Sequence, residues 1–386
     1  MSISYFMTEE LDMFRKSVDD FVAAHIEPNF NKWEKEGKVD KELFTKAAEQ
    51  GLLGINIKPE YGGMGLNDMF SLVWLEQGGR HNVAGAMLSL CTHSYLPMQY
   101  LHKFASEEIK QKYLVPSVEG KIVGCLGMTE PFAGSDLAAL RTTAIKQGDH
   151  YIVNGSKTFI TNGVYADYMV TAVKTDPENK RAGISLLVID AKSEGYTATK
   201  LDKLGVRSSD TAEIAMLNVK VPASNLIGEE GQGFYYMMKS LEIERFSIAW
   251  ACMGGCLGVM DLTLKYIQER EAFGKPIAKL QVIRHKLAEL QTEIETTRAF
   301  LYLATQRFSD GANTVKEATM LKYKTAELLK TVTDDCLQFF GGYGFMEEFP
   351  IARVYRDQRV NPIYGGTSEI MKEIIAKIIV DGVTYK

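Results

Sequence analysis

Apolar positions over roughly the first 120 residues recur at helical spacing. Thr8 is a good N-cap, and Glu9 and Glu10 follow in the first turn, where acidic side chains suit the positive end of a helix. Leu11, Phe14, Val18 and Phe21 then fall on one face. The stretches 41–53 and 106–118 have the same character. After about Gly120 the period changes. Short apolar runs at 151–163, 168–176, 183–190 and 212–222 are rich in β-branched and aromatic residues and bounded by Gly, Asn and Asp, the pattern of strands joined by turns. Helical periodicity then returns over longer segments, 234–270, 280–308 and 315–341, which predict a bundle of about four helices. The expected chain is therefore α+β: a helical domain over 1–120, a small β-domain over 121–229 and a helical bundle over 230–386.

One position breaks this pattern. Taken as a helix at about 100° per residue, 237–255 places Met237, Leu241, Glu244, Ile248 and Gly255 in one narrow stripe. Glu244 thus lies on the apolar face, whereas Glu242 projects to another side. A lone carboxylate in apolar surroundings is costly unless it is paired or functional. Two readings stand: an ion pair with an arginine of another helix, or a reactive acid. Arg245 does not share its face.

Composition narrows the classes. With 386 residues, 46% hydrophobic and 24% charged, the chain is ordinary globular material, and at roughly 150 residues per domain it holds two or three. A net charge of -5 without long runs of one sign gives no footprint for nucleic acid or an anionic membrane. No apolar run reaches the roughly 18 residues that cross a bilayer. The acidic N-terminal stretch lacks the basic start and apolar core of a signal peptide. The expected location is cytoplasmic, or the mitochondrial matrix if a transit peptide has been removed. Five scattered cysteines read as reduced and buried, Cys252 and Cys256 as core packing. The six histidines show no metal-ligand spacing. No G-x-G-x-x-G follows an expected strand, so a Rossmann site is not supported.

The stretch 126-LGMTEPFAGSDL-137 resembles the T-E-P-x-A-G-S-D signature of acyl-CoA dehydrogenases, and 159-FITNG-163, 269-EREAFGKPI-277, 338-QFFGGYGF-345 and 364-YGGTSEI-370 resemble further motifs of that family, in its order and spacing. The resemblance covers essentially the whole chain. It implies an N-terminal helical domain, a middle β-barrel and a C-terminal four-helix bundle. It also implies FAD, an acyl-CoA substrate, an electron-transfer flavoprotein as acceptor, and a homotetramer built as a dimer of dimers.

Carried over position by position, Leu126, Met128, Thr129 and Ser135 should line the flavin and pyrophosphate, with Ser135 also near substrate, and Thr161 should offer a hydrogen bond to the ring. Phe159 takes the place of an aromatic packed on the isoalloxazine. From a neighbouring subunit, Arg270 should meet the pyrophosphate and Phe273 the adenosine part, with Gln338 and Gly342 at the adenine end. Thr367 and Glu369 fall where the family again contacts FAD. One departure is Phe132, where a glycine is common.

The base position is a second departure. Where much of the family has a glutamate after the tyrosine of 364-YGGTSEI-370, this chain has Gly365. The long-chain and isovaleryl-CoA subgroup instead places its base on the first bundle helix, in an L-x-x-E-R-L-like stretch, and 241-LEIERF-246 is similar, with Glu244 at the base position. In that reading the backbone N–H of Gly365 still donates to the thioester carbonyl beside Tyr364 and Gly366, Arg245 orients the site, and Glu242 lies near the CoA moiety. The α-proton is only weakly acidic, so the base needs a raised pKa and the carbonyl oxygen needs donors. The tail and 281–300 are closest to the long-chain type, which implies a medium- or long-chain acyl group, with citronellyl-CoA, isovaleryl-CoA or a catalytically silent flavoprotein as alternatives.

Overall fold

The computed structural model describes residues 3–385. The chain opens with six helices: α1 Glu9–Phe21, α2 Glu27–Glu36, α3 Glu42–Glu49, α4 Asp68–Arg80, α5 Ala84–Tyr95 and α6 Pro97–Phe104. Next comes a helical stretch made of α7 Glu107–Ile109, a π-turn at Lys110–Leu114 and α8 Val115–Val118. Thr8 caps α1, its hydroxyl accepting from the Leu11 N–H at 3.3 Å. Leu11, Val18 and Phe21 are buried, as the spacing requires.

The middle of the chain forms one eight-stranded sheet. It comprises β1 Gly124–Gly127, β2 Thr143–Gln147, β3 His150–Thr161, β4 Tyr168–Lys174, β5 Ile184–Asp190, β6 Tyr196–Lys200, β7 Thr211–Pro222 and β8 Leu226–Ile227. The strand order is β6-β7-β3-β2-β4-β5-β8, with β1 added parallel to β4. β4 and β5 are buried on both faces except at their ends. The long β3–β7 ladder slips register between Lys157 and Ile160.

Four long helices follow: α9 Gly233–Glu269, α10 Gln281–Ser309, α11 Val315–Phe339 and, after the short α12 Pro350–Asp357, α13 Ser368–Ile379. Between α9 and α10 lies a hairpin of β9 Glu271–Ala272 and β10 Lys275–Pro276. α9 is apolar nearly all round and is the core helix of the molecule. It is also long and apolar enough by composition to cross a membrane, which corrects the expectation that no segment is; yet 72% of the relevant window is buried within the protein. α4 crosses it at backbone contact, because a Cβ at Gly254 would stand 2.0 Å from the Glu76 carbonyl. Buried polar pairs fix the remaining crossings. Arg298 on α10 donates to Glu76 on α4, Trp250 Nε1 on α9 donates to Thr305 on α10 at 2.8 Å, and Arg245 donates to Thr319 on α11 at 3.1 Å. All five cysteines are free and buried.

Candidate active site

Where α4, α5 and α9 meet the sheet and the turn before α13, the chain encloses a cavity of about 480 Å³. Its wall takes Leu126, Met128, Thr129 and Ser135 from β1 and the loop after it, Phe159 and Thr161 from β3, and Tyr364, Gly365 and Gly366 from the turn. From α9 it takes Leu241, Glu244, Arg245, Ile248 and Gly255. Leu241, Glu244, Ile248 and Gly255 of the stripe seen in the sequence thus form one face of the cavity; Met237 is buried away from it, and Arg245, expected on another face, joins the wall.

Glu244 is 5% exposed. Burial pushes its carboxyl up to about 7, against the opposing pull of the Tyr100 hydroxyl, Arg245 and Lys103. The phenol of Tyr100 donates to Oε1 at 2.9 Å. Among the described residues no cation stands within ion-pair distance of Glu244, so the ion-pair reading of this acid has no partner. Arg245, next to it, is buried and spends one nitrogen on Thr319. Burial draws its guanidinium below the ordinary value.

Gly365 and Gly366 sit at φ 62 and φ 97, a region a side chain rarely adopts. A Cβ on Gly365 would lie 2.3 Å from Ile248 Cδ1, so the turn packs on the α9 face one helical turn beyond Glu244. α11 clamps this turn from behind. The buried Lys322 ammonium donates to the Gly366 carbonyl, and the Ser368 hydroxyl to Glu327 Oε1 at 2.7 Å. Three successive N–H groups, of Gly365, Gly366 and Thr367, donate to no group among the described residues.

The sheet side is built with equal constraint. Phe159 lies in the β3 bulge at φ 60 and is 70% exposed, its side chain forming part of the cavity wall. Beneath it, Lys157 is fully buried and donates to Glu130 Oε1 at 2.7 Å and to the Met128 carbonyl at 3.3 Å. Glu130 also accepts from the N–H groups of Arg141 and Thr142. Burial alone would raise the Glu130 carboxyl, but the Lys157 ammonium and these donors hold it below the usual carboxylate range, while burial pulls Lys157 down to about 8. This pair pins the 128–142 loop to β3.

The remaining expected residues lie off the cavity wall. Arg270, Gln338 and Gly342 are exposed on the bundle surface, and Arg270 stacks over the Tyr343 ring at 5.7 Å. Phe273 is 90% exposed at the tip of the β9–β10 hairpin, with φ 54 beside Gly274 at φ 74, the paired positive φ of a two-residue hairpin turn. Thr367 caps α13 through the Ile370 N–H, and Glu369 is exposed in its first turn. Glu242 turns away from the cavity and caps α11, accepting from the Thr314 N–H at 2.9 Å and hydroxyl at 2.7 Å. Tyr100, Lys157 and Lys322 were not singled out by sequence. Each is an ordinary residue of an ordinary element until the fold brings its partner near.

Comparison with known proteins decides the family. The acyl-CoA dehydrogenase N-terminal, middle and C-terminal domain models match residues 8–121, 125–219 and 231–380. The chain belongs to the acyl-CoA dehydrogenase family. It is similar to the mitochondrial long-chain specific acyl-CoA dehydrogenase of Sus scrofa, 43% identical over 98% of this chain and 89% of that protein. It is also similar to the mitochondrial isovaleryl-CoA dehydrogenase of Pongo abelii, at 35% over 96% of this chain and 89% of that protein. A crystal structure of an acyl-CoA dehydrogenase from Geobacillus kaustophilus superposes with a TM-score of 0.93 at 41% identity, covering 97% of this chain and 99% of that one. Acyl-CoA dehydrogenases are FAD-dependent oxidoreductases acting on the CH–CH bond of acyl-CoA, and this chain is an enzyme of that kind. The cavity fits such a cofactor by the Thr129 and Thr161 hydroxyls and by an aromatic face at Phe159.

Proposed function

We propose that the enzyme converts a medium- or long-chain acyl-CoA, methyl-branched chains included, to the trans-2-enoyl-CoA with Glu244 as the base, and passes electrons to an electron-transfer flavoprotein. The observation that carries this is a carboxyl buried in the wall of an apolar cavity, tied among the described residues at one oxygen and held near neutral pKa by burial. Such a group is ionised often enough at neutral pH to act and basic enough to take an α-proton. Gly365 supplies no acid, and its N–H and that of Gly366, which donate to no group among the described residues, can receive the charge that grows on the thioester oxygen. Apolar side chains such as Leu75, Met87 and Leu88 line the same cavity, suiting a hydrocarbon chain.

FAD, when bound, takes the two electrons. Leu126, Met128, Thr129, Ser135, Phe159, Thr161 and Thr367 would hold it from this subunit. Arg270, Phe273, Gln338 and Gly342 would reach into a neighbour's site within a homotetramer. Their exposure on the bundle surface supports that assignment.

Anaerobic bleaching of the bound flavin by short, long and branched saturated acyl-CoAs tests the reading, with Glu244→Gln measured beside the parent. One chain class should bleach the parent quickly and the variant slower by several orders of magnitude, roughly the scale for losing a catalytic group. Equal rates would make Glu244 a structural acid.

A further inference from the structure

Tyr100 is fully buried on α6, a helix of the N-terminal part, and its phenol meets the Glu244 carboxyl across 144 positions of chain. It is the carboxyl's one hydrogen-bond partner among the described residues. Burial holds the phenol far above its ordinary pKa, so it stays protonated and can only donate to Oε1. The second oxygen, Oε2, accepts from nothing among the described residues, and the residue lines the cavity. The ring is locked in turn: Phe104 leans on it at 6.4 Å and stacks on Tyr236 of α9 at 4.4 Å.

We propose that Tyr100 is a positioning residue for the base: it occupies Oε1, turns Oε2 toward the substrate and thereby sets which oxygen receives the α-proton. The inference rests on Glu244 being that base. When the substrate C–H bond breaks, the new O–H forms on Oε2, because Oε1 already accepts the phenol proton. The hydrogen bond also favours the charged carboxylate over the neutral acid, so it restrains the rise that burial imposes. The other ionisable groups facing Glu244 cannot replace it. Lys103 on α6 acts only through space, Arg245 is engaged with Thr319, and the Cys91 thiol on α5 is pushed up to about 12 and stays neutral.

Tyr100→Phe removes one oxygen and keeps the ring. In the flavin-loaded holoenzyme, the acid limb of kcat/KM should move to higher pH by about one unit, the shift a charge-assisted hydrogen bond supports. Activity lost at pH 7 should return in part at alkaline pH. A purely structural tyrosine would instead lower the rate equally at every pH and leave the limb in place. That outcome, or a downward shift, overturns the proposal while an inactive Glu244→Gln leaves the base assignment standing. If Glu244→Gln keeps the parent rate, the base assignment fails and the positioning role falls with it. Thermal melting and the bound-flavin spectrum check that Tyr100→Phe is folded.

Discussion

Glu244 illustrates how a reactive residue weakens the fold that holds it. Its folded pKa of about 7 lies above the ordinary carboxylate value, so the fold favours the neutral acid. Its stabilising contribution is therefore complete at pH values below the ordinary carboxylate pKa and is lost as pH rises through about 7. Glu244→Gln should then be more stable than the parent at pH 8, by on the order of 3 kcal/mol, with little difference at pH 4. Melting curves at the two pH values check it. The same pKa fixes the activity profile: the base works when ionised, so kcat/KM should climb as pH rises through about 7 and then level off. Gly365 makes the complementary point. Its φ of 62 and the 2.3 Å approach of a Cβ to Ile248 leave no room for a side chain. Gly365→Ala should cost about 1–2 kcal/mol of stability from backbone strain and crowding and lower kcat. Ile248→Ala in the same molecule should restore part of kcat, since it removes the clash but not the strained φ.

At the scale of elements, the site depends on anchors that hold irregular backbone against regular structure. Lys157 on β3 holds Glu130, and through it the 128–142 loop. Lys157→Met should strand a buried carboxylate, destabilise the fold by about 3 kcal/mol or more, and release flavin; urea titration and flavin retention on desalting measure the two effects. Such anchors explain what could and could not be read from the chain. The long periodic segments gave α9, α10 and α11 nearly to their ends, and the apolar runs gave β3, β4, β5 and β7. β2 and β6 escaped because they are five residues each with largely polar or exposed faces, Thr-Ala-Ile-Lys-Gln and Tyr-Thr-Ala-Thr-Lys. The π-turn inside 107–118 left no trace in periodicity. Glu244 was legible because one helix sets its face. Tyr100 was not, because its partner lies in another domain and no local pattern encodes that contact. The bulge at Phe159 was hidden in the same way, since the register slip exists only in the pairing of β3 with β7, a strand about 50 residues away in sequence.

At the scale of the whole molecule, the expected cofactor residues, apart from Thr367 and Glu369 at the start of α13, divide into two groups that one subunit does not bring together. Leu126 through Thr161 line the cavity, whereas Arg270, Phe273, Gln338 and Gly342 face solvent. A phenylalanine held 90% exposed at positive φ is doubly unfavourable in an isolated chain. Contact with another molecule would offset both costs, and Arg270 stands at the base of the same hairpin, where a guanidinium suits a pyrophosphate. If a neighbouring subunit completes each flavin site, affinity for FAD must depend on association. Arg270→Ala and Phe273→Asp should each release FAD on dilution at protein concentrations where the parent retains it. Excess FAD should restore activity with the acid limb of the pH profile unmoved, because neither residue touches the Glu244 cavity. Sedimentation velocity read at the flavin absorbance follows mass and occupancy together. Retention of FAD by a clearly dissociated subunit would show that the cavity of one chain is sufficient, and the exposed hairpin would then need another explanation.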